Sequence, residues 1–160
     1  MKVVLASPRG FCAGVVRAIE TVKSTIKQHG SSVYVLHEIV HNKHVLKELE
    51  NLGAVFVEGL TDIPNGGLCI FSAHGVSKET ENHASNLGLK TVDATCPLVS
   101  SVHKVVEKYY KDDHDVIIIG HHKHPEVEGT AGRVDGNVHV ISTEEEADKL
   151  QIHVSSISLK

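Results

Sequence analysis

The sequence predicts an α/β fold with mostly parallel sheets, arranged as three-layer units of which the first is complete and the second truncated. Three observations predict it. Short β-branched runs alternate with helical patterns along the chain, most of these runs are continuously apolar, and the last β–α series stops at a strand with no helix after it. Alternation of strand and helix favours a parallel sheet with helices on its faces. A strand covered on both faces reads as an unbroken apolar run rather than an alternating one.

Taken in order, the first strand is expected at residues 2–6. Val15, Ile19, Val22 and Ile26 then recur at helical spacing, and Gly30 stands where that helix would stop. A strand at Val33–Leu36 leads to a shorter helix at Lys43–Leu52, closed by Gly53, and to a strand at Ala54–Val57. Leu68–Phe71 reads as the next strand, 77–87 as a weak helix closed by Gly88, and 91–93 as a fifth strand. Leu98, Val102, Val105 and Tyr109 mark the apolar stripe of a further helix, with Lys104, Lys108 and Lys111 outside it. Strands at Val116–Ile119 and Val138–Ile141 follow, and 152–155 would begin another. No linker or sequence repeat stands out. The boundary falls near Cys96, giving a first α/β unit at 1–96 and a second at 97–160 whose covering helix is missing.

Composition narrows the function classes. With 160 residues, 41% hydrophobic and 22% charged, the chain is long enough for a sizeable core and too apolar for disorder. A net charge of −4 and an aromatic content of 4% exclude a surface that coats nucleic acid. No apolar run approaches the roughly 18 residues of a membrane span, and the apolar stretch at residues 2–6 is too short for a signal peptide's core. A cytoplasmic protein is expected. Two counts are unusual, 13 histidines and an odd three cysteines. An odd cysteine count without an export signal points to thiolate chemistry or plain burial instead of disulfides.

The chemistry gathers after the strands. SPRGFCAG (7–14) follows the first, HEIVHN (37–42) the second, SAHG (72–75) follows Leu68–Phe71, ATCP (94–97) follows the fifth, and GHHKHPEVEGT (120–130) follows Val116–Ile119. Open α/β sheets bind ligands outside the carboxyl ends of their strands, so these loops converge on one pocket. Cys12 lies between Gly10 and Gly14 just before a helix, and Cys96 precedes Pro97, which suits the first helical position and makes Cys96 the expected N-cap. A helix N-terminus lowers a thiol's pKa and favours the metal-binding thiolate; both cysteines also read as small core residues. Cys69 sits inside an apolar strand and reads as buried. Neither Cys-x-x-Cys nor His-Glu-x-x-His occurs, so the common zinc signatures are missing. His41, His74 and His124 occupy strand-end loops where imidazoles can donate to an anion. His29, His83, His114, His139 and His153 read as surface or structural. Glu126 is either a solvated acid at a helix start or, beside histidines and a metal, a candidate general acid. Arg9, Arg17 and Lys123 either add charge around an anion or are ordinary solvated side chains.

Five motifs together carry a resemblance: PRGFCAGV (8–15), HEIVHN (37–42), FSAHGVS (71–77), DATCPLV (93–99) and HPEVEGT (124–130). With these the chain resembles the LytB family, 4-hydroxy-3-methylbut-2-enyl diphosphate reductases of the methylerythritol phosphate route to isoprenoids. The resemblance implies a [4Fe–4S] enzyme that reductively removes a hydroxyl from an allylic diphosphate, giving isopentenyl and dimethylallyl diphosphate, with flavodoxin or ferredoxin as electron donor. By motif, Cys12 and Cys96 resemble cluster ligands, His41, His74 and His124 resemble substrate-contacting histidines, and Glu126 resembles the proton donor. Family members are longer, with three similar α/β units and a third cluster cysteine that this chain lacks. The expectation is therefore an N-terminal portion, inactive alone. Two other readings are a non-catalytic α/β module that binds a diphosphate or metal, and a cysteine-dependent hydrolase using Cys12 or Cys96.

Overall fold

The computed structural model describes residues 1–30, 32–136 and 138–150. Its elements run α1 (Ala13–His29), β1 (Val33–Leu36), α2 (Lys43–Leu52), β2 (Ala54–Val57), a 3-10 turn (Leu60–Asp62), β3 (Leu68–Phe71), α3 (Lys78–Asn86), β4 (Lys90–Asp93), α4 (Pro97–Lys111), β5 (Val116–Ile119), α5 (Pro125–Ala131), β6 (Val138–Ile141) and α6 (Glu144–Lys149). Two parallel sheets result, one of four strands in the order β2-β1-β3-β4 and one pairing β5 with β6. Register is in step across the first sheet: Val33 lies beside both Ala54 and Leu68, and Leu68 beside Lys90. The mostly parallel α/β architecture is the one expected.

The first sheet explains its own apolar runs. Val33, Val35 and Ile70 face α1 and α2, where they join Ala18, Ile19, Val22, Val45 and Leu49 in one core. The alternate residues Leu36, Cys69 and Phe71 face the other way, against Leu60, Ile63, Val76, Ala84 and Leu89. Both faces are thus covered. Each fully buried aliphatic side chain contributes about 1.5–3 kcal/mol relative to exposure.

Helix ends follow the local sequence. The Asn42 side chain accepts hydrogen bonds from the N–H groups of His44 and Val45, each at 3.1 Å, and Ser77 Oγ accepts from Thr80 N. Gly53 closes α2 with φ at 112°, a left-handed value that a Cβ would strain. Pro97 and Pro125 each stand in the first turn, which leaves Cys96 and His124 as the N-caps of α4 and α5.

Two expectations need correction. Residues 2–6 form no strand and are exposed. The central strand β1 already has β2 and β3 on its two edges, and the segment makes no ladder with β2 or β4, so its backbone gains no strand hydrogen bonds. On α4, the stripe of Leu98, Val102, Val105 and Tyr109 faces outward, and the buried residues are Val99, His103 and Val106. The strand expected at 152–155 lies outside the described residues, as does His153. Among the described residues, no helix is long and apolar enough to cross a membrane.

Candidate functional site

All strands of each sheet are parallel, so within a sheet the loops leaving their carboxyl ends share an edge. The loop after β1 turns sharply at His37, whose φ of 59° is left-handed and whose N–H donates to Val57 O at 2.9 Å. Ile39 and Val40 are buried and anchor the loop, leaving His41 exposed on the residue before the Asn42 cap. His41 Nδ1 lies 3.0 Å from Glu38 Oε2. The loop after β3 turns at Ser72–Gly75, where Gly75 N donates to Ser72 O. His74 is buried there, its Nδ1 3.2 Å from Ser72 Oγ. Burial pushes the His74 imidazole down to about 4, with the nearby His41 and His124 rings adding to the shift. His124 caps α5, its Nδ1 accepting from Glu126 N at 3.2 Å, which leaves the proton of the neutral ring on Nε2.

These three imidazoles, from three separate loops, form one cluster. Ring centroids lie 4.8 Å apart for His41 and His74, 5.9 Å for His41 and His124, and 5.8 Å for His74 and His124. Imidazoles gathered this way offer N–H donors to an anion.

The cysteines form a second cluster. Cys12 is the N-cap of α1 and Cys96 the N-cap of α4, and neither side chain is spent on a capping hydrogen bond. A Cβ on Gly14 would stand 2.5 Å from Cys96 Sγ and 3.9 Å from Cys12 Sγ, so both sulfurs crowd the space that this glycine leaves open. Cys96 N also donates to Ala73 O at 3.0 Å, which ties the thiol pair to the loop carrying His74. Cys69 is wholly buried in β3, and burial pushes its thiol up to about 11 despite a backbone hydrogen bond at Leu36. It is inert there.

The remaining candidates separate. Glu126 is exposed in the first turn of α5 and shares a groove with His121, His124 and Ile119. Arg17 donates to Thr95 O at 3.2 Å and so braces the residue before Cys96, while Arg9 donates to Ala6 O and Lys123 is exposed. His29, His83 and His114 are exposed, and His139 sits 3.0 Å from Asp115 Oδ1. Two residues beside the site escaped sequence reasoning. His103 is buried under the His74 loop, and Arg133 binds Val76 O, Glu81 and Glu107 together. The helical spacing of Val99, His103 and Val106 was the available signal for the first; nothing local marked the second. Among the described residues no group of three or more His, Cys, Asp or Glu side chains has the geometry to hold a metal ion.

The family described as LytB protein matches residues 3–159. The chain belongs to the LytB family. The reductase of Desulfotalea psychrophila, named 4-hydroxy-3-methylbut-2-enyl diphosphate reductase, is 66% identical over 155 residues, which are 97% of this chain and 50% of that protein. Its namesake in Zymomonas mobilis is 51% identical, covering 95% of this chain and 45% of the relative. Among solved structures, the E-1-hydroxy-2-methyl-but-2-enyl-4-diphosphate reductase of Plasmodium falciparum superposes with a TM-score of 0.89 at 44% identity, over 93% of this chain and 47% of that one. The chain thus spans about half the length of the relatives it matches, and the LytB fold accounts for its parallel α/β layout.

Proposed function

We propose that this chain carries the diphosphate grip and two of the cluster thiolates of a 4-hydroxy-3-methylbut-2-enyl diphosphate reductase, and acts in the cytoplasm. The observation that carries the reading is the meeting of Cys12 and Cys96 at Gly14 beside the His41–His74–His124 cluster. Two unspent thiols at helix N-termini suit an iron–sulfur cluster. A [4Fe–4S] cluster bound there would supply electrons and a Lewis-acidic iron. The chain's own residues do the rest. His41, His74 and His124 hold the diphosphate, and the first and second units, 1–96 and 97–160, bring their loops to it from two sides. Glu126 gives a proton to the departing hydroxyl. The overall change consumes two electrons and two protons, replaces a C–OH bond with C–H, and releases water. A small electron-transfer protein such as flavodoxin or ferredoxin supplies the electrons.

A second reading has one observation in its favour: the imidazole cluster is complete within this chain, whereas the thiol set has no third member, Cys69 being buried in β3. On that reading the isolated chain binds diphosphates without reducing them. One experiment tests both. Anaerobic treatment with iron and sulfide, followed by iron analysis and an assay with reduced viologen, should give low cluster occupancy and no turnover by the chain alone. Inorganic pyrophosphate should bind regardless. Four irons per chain with sustained turnover would overturn the two-thiolate account, and absence of pyrophosphate binding would remove the histidine grip.

A further inference from the structure

The turn that presents His74 is gripped from two sides by residues outside the site. Gly75 has a φ of 72°, and a Cβ there would stand 2.6 Å from His103 Cε1 and 3.1 Å from Thr95 Cγ2. The imidazole of α4 therefore occupies the space in which a side chain at position 75 would sit. From the other side comes α5. A Cβ on Gly129 would stand 3.0 Å from Gly75 O, 3.2 Å from Gly75 C and 3.4 Å from Val76 Cα, all backbone atoms that cannot swing aside. Helix α5 is the one that opens on His124, so Gly129 and His124 are joined by little more than one helical turn.

We propose that His103 and Gly129 are positioning residues that hold the Gly75 turn between α4 and α5 and so set the spacing of the His74 and His124 rings. The grip is fastened along its length. Lys78 N donates to Gly132 O at 3.0 Å, and Arg133 donates to Val76 O at 3.3 Å while its guanidinium is held by Glu81 at 2.8 Å and Glu107 at 3.0 Å. His103 is buried, and its Nε2 has no hydrogen-bond partner. An imidazole so placed acts by filling space. Burial first, and then the Arg133 charge, keeps the ring neutral, so it needs no counter-ion. The rings of Tyr109 and His114, 5.5 Å apart at the carboxyl end of α4, take no part in the contacts just named and serve as a reference.

This inference rests on the histidines being the diphosphate grip only for its affinity arm. The test is proton NMR of the full chain, following cross-peaks between imidazole ring protons, alongside calorimetry with inorganic pyrophosphate. His103→Ala and Gly129→Ala should each weaken the His74–His124 cross-peaks while leaving that of Tyr109–His114, and should lower pyrophosphate affinity by about three- to tenfold, as the loss of about one hydrogen bond does. His103→Phe keeps the ring and should restore both. General loosening would degrade the Tyr109–His114 cross-peak as well and would overturn the proposal. So would His103→Ala with unchanged His74–His124 cross-peaks, or His103→Phe behaving like His103→Ala. Should Gly129→Ala fail to fold, the two His103 variants still decide. Should pyrophosphate not bind the unmodified chain, the diphosphate reading fails while the cross-peaks still test the clamp.

Discussion

The two sheets start from similar sequence and end in different surroundings. β1 reads Val-Tyr-Val-Leu and β5 reads Val-Ile-Ile-Ile, so β5 is the more apolar. Yet Val33, Val35 and Leu36 are buried, whereas Ile119 is 86% exposed and Ile117 44%. β1 has parallel neighbours on both edges; β5 has only β6 among the described residues. Burial is conferred by what an element packs against, and an apolar sequence only makes the element eligible for it. Even so, both regions deliver chemistry to one place, because the loop that matters leaves the carboxyl end of a strand in each.

If the second region supplies the proton, and adds His124 to the anion grip of His41 and His74 in the first, the largest effect belongs to Glu126. In a chain completed with the remaining half of a relative, Glu126→Gln should cut turnover by about 10²–10⁴, the usual loss for one general acid, with the cluster spectrum intact. A fall of less than about threefold would take Glu126 out of the mechanism.

The packing contrast can be broken in urea. Ile70→Ala, at a fully buried position of β3, should cost about 2–5 kcal/mol, and Ile119→Ala under about 0.5 kcal/mol. Equal losses would mean that the two regions are packed alike in solution.

Acid should weaken the first region more. His74 holds a folded value of about 4 against an ordinary 6.5, so between these values the unfolded chain takes up a proton that the native chain refuses. Stability therefore falls as pH drops from 6.5 towards 4, by about 3 kcal/mol at most, and is fully present above 6.5. His74→Gln should flatten that part of the profile, read by urea midpoints at several pH values. An unchanged slope would locate the acid sensitivity elsewhere.

The smallest effect on folding should be the most telling for the second region. Val102, Val105, Ile117 and Ile119 are exposed and line one apolar groove, the kind of surface that promotes association. Ile119→Lys should shift sedimentation towards monomer with a change in midpoint near zero. Identical sedimentation would acquit this face.

Legibility in the sequence followed how local each determinant was. β1 and β3 could be read because burial on both faces leaves an unbroken apolar run, and the helix ends because Asn42, Gly53 and Pro97 act on their own backbone. The strand expected at residues 2–6 was not there, since a strand needs a partner and pairing is non-local. Helix α4 is apolar at two offsets, one through Leu98 and Val102 and one through Val99 and Val106. Periodicity alone gave no reason to choose the second, so His103 went unread. The three site histidines were legible because parallel strands share an edge. Arg133 was not, because its partners come from the β3–α3 loop, α3 and α4.

Helices α1 and α4 both open on a cysteine, and each begins the same α–β–α–β run. Each run therefore contributes a single sulfur, delivered at its first turn. On the proposed cluster reading, the number of sulfur donors would be counted in runs, as a chelator's denticity is counted in arms, and lengthening a loop would add nothing to it. What separates one sulfur from the next is how near two helix ends can come when the residue between them, Gly14, has no side chain to keep them apart.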